Sequence, residues 1–129
     1  MLTKFFSKAP SEPVFEWNHL VSEDQLDELE TISQEKPVLI FKHSTRCSIS
    51  AMMLRRFERS ADESISFQPF FLDLIANRSV SNLIAEKYGV RHESPQAILL
   101  SNGKAIFDAS HTGISFEEIN KMANKEVIG

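Results

Sequence analysis

Val38-Leu-Ile-Phe41 is a continuous apolar run in the first half of the chain. Four branched or aromatic side chains in a row, with no polar residue between them, are typical of a strand that is covered on both faces. Such a strand needs helices above and below its sheet. Helical spacing of apolar residues does occur on either side, over about 23–34 and up to about residue 60. The run therefore restricts the chain to an α/β fold with a buried central strand.

The remaining patterns extend this strand into a mixed sheet. Asn102-Gly103 lies between two apolar runs and predicts a tight hairpin, because both central residues of a type I′ turn need positive φ. Pro69 indicates an edge position or an irregular start for the second strand, since proline cannot donate to a strand ladder. Early βαβ alternation followed by a hairpin and a final helix implies helices on both faces of the sheet. The expected order is helix 23–34, strand 38–41, loop 43–45, helix to 60, strand 65–72, a helix capped by Ser79 and stopped by Gly89, strands 96–100 and 104–107, and helix 115–125.

Length, charge and cysteine content restrict the class of protein. The 129 residues are enough for one domain, which we expect over 17–129 after an irregular lead-in over 1–16. The net charge of −4 disfavours nucleic acid as a partner, and no apolar run has the length of a signal peptide or a membrane span. Cys47 is the only cysteine, which excludes an intrachain disulfide and a cysteine-rich metal cluster. We expect a cytoplasmic protein with no membrane partner, no metal and no tightly bound cofactor.

Cys47 lies where the first core strand gives way to a helix. Free N–H groups and aligned peptide dipoles at a helix start carry about half a positive charge, which stabilises a thiolate. Arg46 and Lys42 add nearby positive charge, and the Thr45 hydroxyl can cap the turn or donate to the sulfur. The alternative is a small buried hydrophobic residue, but Arg, Thr and two Ser are poor neighbours for one. The sequence therefore favours a reactive cysteine.

The histidines offer weaker candidates. His43, four residues before Cys47, has the residue type of a catalytic base, but a loop histidine in a polar run is more often only solvated. Arg91 and His92 precede a proline loop and are candidates for contacting an anionic small thiol, with solvation as the simpler interpretation of each. The other histidines are dispersed and lack a metal-ligand spacing.

Glu93-Ser94-Pro95-Gln96 directly precedes an apolar strand. A proline at this place is mostly a turn device, because only about 5–6% of X-Pro bonds in folded proteins are cis. A cysteine after the first core strand, combined with a proline that leads into the third strand, is however how thioredoxin-fold proteins build their site. We therefore expect a cis Ser94-Pro95 bond whose loop lies against Cys47.

The segment Lys42-His-Ser-Thr-Arg-Cys47-Ser-Ile-Ser50, together with Glu93–Gln96 and the order of elements, resembles the YtxJ family of bacillithiol-system redox proteins, the monothiol bacilliredoxins. The resemblance covers about 17–124 and implies a thioredoxin-like fold with Cys47 as nucleophile and Pro95 as the cis-proline. It also implies a low-molecular-weight thiol, bacillithiol or similar, as co-substrate. The residue expected after the cysteine is proline, and this chain has Ser48 there.

The spacing of Cys47 and Ser50 as C-x-x-S predicts a monothiol mechanism. A hydroxyl occupies the place where a dithiol oxidoreductase keeps its resolving thiol. Residues three apart share a helix face, so the Ser50 hydroxyl can hydrogen-bond the thiolate, and we expect Ser50 to stabilise the thiolate or position the substrate. The predicted activity is removal of a small thiol from client proteins that carry mixed disulfides. The alternative is a thioredoxin-fold binding or iron–sulfur scaffold module, in which Cys47 is a cluster ligand or redox-silent.

Overall fold

The computed structural model describes residues 15–128. Its elements follow the order that the apolar patterns predict, with one additional short strand before the first helix. They are β1 (Asn18–His19), α1 (Gln25–Ser33), β2 (Val38–His43), α2 (Ser48–Ser60), β3 (Gln68–Asp73), α3 (Arg78–Tyr88), β4 (Gln96–Ser101), β5 (Lys104–Ser110), a 3₁₀ turn (His111–Gly113) and α4 (Phe116–Ile128). None of the helices between residues 15 and 128 is both long enough and apolar enough to span a membrane.

The five strands form one mixed sheet in the order β1-β3-β2-β4-β5. β3 is parallel to both β1 and β2, whereas β4 is antiparallel to both β2 and β5. All six residues of the central strand β2 are buried. The predicted buried strand is confirmed, and it extends two residues further than the apolar run, to His43.

Alternation of side chains along β2 divides the interior into two cores. Val38 and Ile40 pack in a core with side chains of α1 and α3, whereas Leu39 and Phe41 pack in a second core with side chains of α2 and α4. The second core is aromatic, with Phe41 and Phe57 ring centroids 5.4 Å apart. The predicted architecture, a mixed sheet with helices on both faces, is confirmed.

The hairpin and the last helix begin as their local signals predict. Asn102 and Gly103 have φ values of 52° and 74°, so the turn between β4 and β5 uses the positive φ that Asn-Gly tolerates. At the start of α4 the Ser115 hydroxyl accepts the Glu118 backbone N–H at 3.2 Å, as in a capping box.

The second strand is not an edge strand, so the expectation from Pro69 is wrong in that respect. β3 lies between β2 and β1, but β1 pairs with it only at Phe70 and Phe71. At Pro69 the neighbouring contact comes instead from Asn18, whose side-chain Nδ2 donates to the Pro69 carbonyl at 3.0 Å. A residue without an N–H is tolerated here because β1 does not extend this far.

Two further boundaries differ from expectation. Ser79 does not cap α3, because the turn after β3 leads directly into a helix that begins at Arg78, and Asn77 occupies the cap position. His43 does not lie in a loop, because it is the last residue of β2 and is buried. Local sequence patterns locate the first residues of a helix and the last residue of a strand least precisely.

The predicted lead-in over 1–16 lies outside the described residues, except for its last two. Phe15 packs edge-on against Trp17, with ring centroids 5.0 Å apart. The Trp17 ring packs on Phe41, with centroids 5.6 Å apart. Its Nε1 donates to the Glu58 carboxylate at 2.7 Å. Trp17 therefore joins the start of the described chain to the second core.

The start of α2 has a geometry that suits proline. Cys47 is the N-cap residue, with extended φ and ψ of −114° and 119°. Ser48 is the first helical residue and is exposed, whereas the Ala51 N–H donates to the Cys47 carbonyl at 3.1 Å. A proline in the first helical position loses no helical hydrogen bond and favours an extended residue before it.

We therefore expect Ser48→Pro to leave the fold intact and to raise the free energy of unfolding by about 0.4–1 kcal/mol, because proline restricts the unfolded chain at a site whose conformation it already fits. Urea unfolding measures this change. The matched variant Ala51→Pro removes the first helical hydrogen bond and is expected to cost about 3 kcal/mol. Equal losses in the two variants would contradict the helix start described here.

Candidate active site at Cys47

Cys47 is half-buried at the carboxyl end of the central strand and the amino end of α2. Its side chain does not cap the helix, so the first-turn N–H groups of α2 are not satisfied by the sulfur. These N–H groups and the helix dipole place positive potential at the thiol. The structure therefore confirms the predicted position of the cysteine at a strand-to-helix turn.

Ser44 organises the turn that carries the cysteine. Its carbonyl accepts the Cys47 N–H at 3.2 Å, and its hydroxyl accepts the Arg46 N–H at 3.3 Å. Its own N–H donates to the Ser50 hydroxyl oxygen at 3.0 Å. Three hydrogen bonds from one buried residue hold this four-residue turn against the start of α2. Ser44 had no predicted role of its own, although serine hydroxyls commonly form local turns.

Ser50 is fully buried and serves the turn rather than the sulfur. Its hydroxyl contacts His43 Nδ1 at 3.0 Å as well as the Ser44 N–H. Among the described residues it makes no hydrogen bond to Cys47, so the contact with the sulfur that the spacing allows is not formed. The physical reason is that His43, at the end of β2, and Ser44, directly after it, supply both hydrogen-bond partners of the buried hydroxyl.

His43 is a structural neighbour of the site and not a solvated loop residue. Burial lowers the pKa of His43 below its usual value, and the charge of Asp73 opposes this only in part. A neutral ring accepts at Nδ1, which matches a hydrogen bond donated by the Ser50 hydroxyl. The ring also packs on Phe71, with centroids 5.4 Å apart. His43 contacts Ser50 and not the sulfur, so its candidacy as the base of Cys47 finds no support in this geometry.

Thr45 and Arg46 are both exposed on the outer side of the turn. In the part of the chain that the structure describes, the Thr45 hydroxyl makes no hydrogen bond and the Arg46 guanidinium forms no ion pair. Arg46 remains free to place positive charge at the surface beside the thiol.

The cis-proline loop lies at the same edge of the sheet. The Ser94-Pro95 bond is cis, as expected, and Pro95 is buried. The antiparallel ladder between β2 and β4 ends at the pair Lys42–Gln96, so Pro95 follows directly beside the end of β2 from which the cysteine turn departs. The Ser94 hydroxyl is buried without a hydrogen-bond partner among the described residues.

Lys42 lies on the opposite face of the sheet from α2, so its expected role beside the thiol is wrong. Alternation along β2 places it under α3, where it is fully buried and its Nζ donates to the Ser81 carbonyl at 3.2 Å. The same Nζ is 3.4 Å from Nδ1 of His92, which also contacts the Ser81 hydroxyl at 3.3 Å. Burial lowers the pKa of Lys42 to about 8.

This second cluster attaches the segment before the cis-proline to the core. Burial and the nearby charges of Lys42 and Arg78 lower the pKa of His92. The Gln96 side chain, fully buried on the same face, donates from Nε2 to the Arg91 carbonyl at 2.9 Å. His92 is therefore held by Lys42 and Ser81, and is not simply solvated. Arg91 itself is exposed.

The described residues show no group of three His, Cys, Asp or Glu side chains with the arrangement of a metal site.

The sheet order, the half-buried cysteine at the start of α2 and the cis-proline before β4 together define a thioredoxin-fold protein with a single-thiol site. A comparison with protein families is more specific. Residues 18–119 match the family described as monothiol bacilliredoxin BrxC, and the chain belongs to this family. The match confirms the resemblance carried by the cysteine motif and supports a thiol redox role.

Solved structures agree with this assignment. A candidate oxidoreductase with a thioredoxin fold is 32% identical, with a TM-score of 0.69 over 83% of this chain and 92% of that one. A thioredoxin from Malassezia sympodialis is 17% identical, with a TM-score of 0.67 over 89% of this chain and 94% of its own. A Schistosoma mansoni thioredoxin precursor is 20% identical, with a TM-score of 0.64 over 87% of this chain and 99% of its own. The two thioredoxins show the shared fold alone.

Ser50→Ala is expected to lower the free energy of unfolding by about 1–3 kcal/mol, because the buried Ser44 N–H loses its acceptor and His43 loses its partner. Urea unfolding measures the loss. Ser48→Ala, an exposed change in the same helical turn, is the control and is expected to stay within about 0.5 kcal/mol of wild type. A Ser50→Ala loss no larger than that of Ser48→Ala would contradict the structural role of this hydroxyl.

The buried Lys42 predicts a rise in stability at alkaline pH. Its pKa is about 8 in the folded protein against an ordinary value of 10.5, so the unfolded chain binds more protons between these values. Stability therefore increases as pH rises through this window, and the cost of the buried charge is fully present below it. From neutral pH to about pH 10, wild type is expected to gain about 1–3 kcal/mol relative to Lys42→Met. Parallel pH profiles of the two proteins would contradict the assignment.

Proposed function

We propose that this protein is a monothiol thiol-disulfide oxidoreductase that removes a low-molecular-weight thiol from protein mixed disulfides through Cys47. The observation that carries the proposal is the half-buried thiol at the start of α2, one helical turn before the buried hydroxyl of Ser50. In an enzyme with two thiols, the second would stand at that position. Membership of the bacilliredoxin family supports the same chemistry.

The first step is an exchange at the sulfur of the small thiol. The Cys47 thiolate attacks this sulfur and forms a new S–S bond, while the bond between the small thiol and the client breaks. The client leaves as a thiolate and takes a proton from solvent. The positive end of α2 favours the attacking anion, and the exposed Arg46 adds charge on the same side.

The second step requires another small thiol. Ser50 is an alcohol and cannot displace the sulfur of the adduct, so a second thiolate attacks the small-thiol sulfur and releases the Cys47 thiolate. The product is the oxidised, disulfide-linked form of the small thiol, which balances the two electrons gained by the client. Bacillithiol or a similar thiol in a reducing cytoplasm is the co-substrate we propose, with mixed-disulfide client proteins as partners.

Incubation of wild type with a mixed disulfide and no second reductant is expected to give one stable adduct at Cys47, detected by intact mass. The adduct accumulates because no second thiol in the chain can resolve it. Cys47→Ser is expected to give no adduct and to keep its fold, since a hydroxyl and a thiol are similar in size. Ser50→Cys is expected to release the small thiol and form an internal disulfide.

The absence of an adduct with bacillithiol, glutathione or cysteine disulfides, under conditions where a free peptide thiol reacts, would overturn the proposed function. The iron–sulfur scaffold alternative makes a different prediction, because protein purified anaerobically would then be brown and would lose its colour in Cys47→Ser. The oxidoreductase proposal predicts colourless protein from the same preparation.

A further inference from the structure

Two of the few exposed large apolar side chains lie close to the thiol. Ile49 and Met52 are 46% and 45% exposed, in the first turns of α2 directly after Cys47. Residues three apart on a helix are neighbours, so the two side chains form one apolar patch in the first turns of the helix that follows the thiol. The other exposed large apolar residues among those described are Val21, in the loop before α1, and Val127, in α4. Two adjacent exposed apolar side chains offer a partner apolar surface at this helix.

Arginines continue this patch along the same helix. Arg55, Arg56 and Arg59 are exposed, and helical geometry places them with Ile49 and Met52 within about 120° of arc. We call the face formed by these five residues the α2 face. Its positive charge contrasts with the net charge of −4 of the whole chain.

The three arginines of the α2 face form no ion pair within the described chain. The ion pairs between residues 15 and 128 involve other residues, and none includes these three arginines. Glu58, the one acidic residue of α2, has its carboxylate engaged by Trp17 Nε1. Asp62, just beyond the helix, has its carboxylate engaged by Ser64. Arg56 shares a surface pocket with Glu117, whereas Arg55 and Arg59 are exposed with no ion pair among the described residues.

The occupant of this face must supply negative charge and an apolar side chain. Residues 1–14 carry two lysines and one glutamate, so they do not provide that charge. A small thiol is too short to reach the arginines, since eight to twelve helical residues after Cys47 correspond to about 12–18 Å. An extended peptide covers this distance in about four to five residues.

We propose that the α2 face is the docking surface for client proteins, and that it selects clients with acidic residues about four to five positions from the modified cysteine. An apolar side chain of the client, between the modified cysteine and the acidic residues, contacts Ile49 and Met52. The client's carboxylates contact the three arginines of the α2 face. The inference rests on the proposed function, because it concerns the substrate that presents its mixed disulfide to Cys47. It identifies the client class by charge and spacing.

The test uses two synthetic peptides that carry the same cysteine–glutathione mixed disulfide. Both have leucine two residues from the cysteine on each side. At four and five residues on each side, one peptide has glutamates and the other lysines. The rate of glutathione transfer to the full-length protein is measured by mass spectrometry, and each rate is divided by that with oxidised glutathione to correct for changes in the thiol itself.

Wild type is expected to react with the acidic peptide about tenfold faster than with the basic one, since several surface charge contacts of modest energy add to this size. The preference runs against the negative charge of the whole protein, so long-range attraction does not explain it. It is expected to shrink as salt rises from about 0.01 to 1 M, because the Debye length falls from about 30 to 3 Å.

The variant Arg55→Gln/Arg56→Gln/Arg59→Gln is expected to lose the tenfold preference. The control Lys36→Gln/Lys104→Gln/Lys125→Gln removes the same charge from exposed positions outside α2 and is expected to keep it. A second variant, Ile49→Ser/Met52→Ser, is expected to lower the rate of glutathione transfer from both peptides. This loss is about threefold larger than the loss with peptides that have serine in place of leucine.

Equal rates with the two peptides in wild type would show an ordinary solvated helix face and overturn the docking proposal, while the proposed function stands. The docking proposal is also overturned, and the proposed function stands, if the arginine and lysine triple variants change the preference alike. Overall charge would then account for the preference. No transfer from any peptide or from oxidised glutathione would instead overturn the proposed function itself. The two failures are therefore distinguishable in one set of measurements.

Discussion

The burial of β2 on both of its faces is the constraint on which the site depends. Six consecutive buried residues alternate between two helical layers, so a polar side chain in this strand has to find its partner within one layer. His43 meets Ser50 at the start of α2, and Lys42 meets Ser81 and His92 on the other side. The turn that presents Cys47 leaves the strand directly after these two residues. Its position is therefore determined by hydrogen bonds anchored in the core.

Charge is distributed very unevenly around this strand. Lys42 holds its charge in the interior, away from the thiol, at a cost that lowers its pKa to about 8. The positive potential at Cys47 comes instead from the helix start and from the exposed Arg46, in a chain that is acidic as a whole. In the proposed docking mode, the exposed arginines of α2 form a locally positive surface on an acidic protein and discriminate among client proteins.

The buried hydroxyl of Ser50 shows how a thioredoxin-fold site is adapted to one thiol. A second thiol at that position would need freedom to approach the first, whereas this hydroxyl is held between the Ser44 N–H and His43 Nδ1. The first turn of α2 is thereby stiffened beneath the cysteine. In the proposed mechanism the resolving sulfur comes from solution, and the protein has only to keep Cys47 accessible and its surroundings rigid.

The sequence by itself determined the α/β class, the positions of most helices and strands, the Asn102-Gly103 turn and the placement of Cys47 at a strand-to-helix turn. These features follow from apolar periodicity and turn chemistry, which act over a few residues. Only the tertiary structure decided that Ser50 bonds His43 and Ser44 instead of the sulfur, and that Lys42 points away from it. These outcomes depend on which layer a strand side chain enters and which distant polar group is already buried there. Such partners, up to fifty residues apart in the chain, are set by sheet pairing and helix packing, and local patterns do not report them.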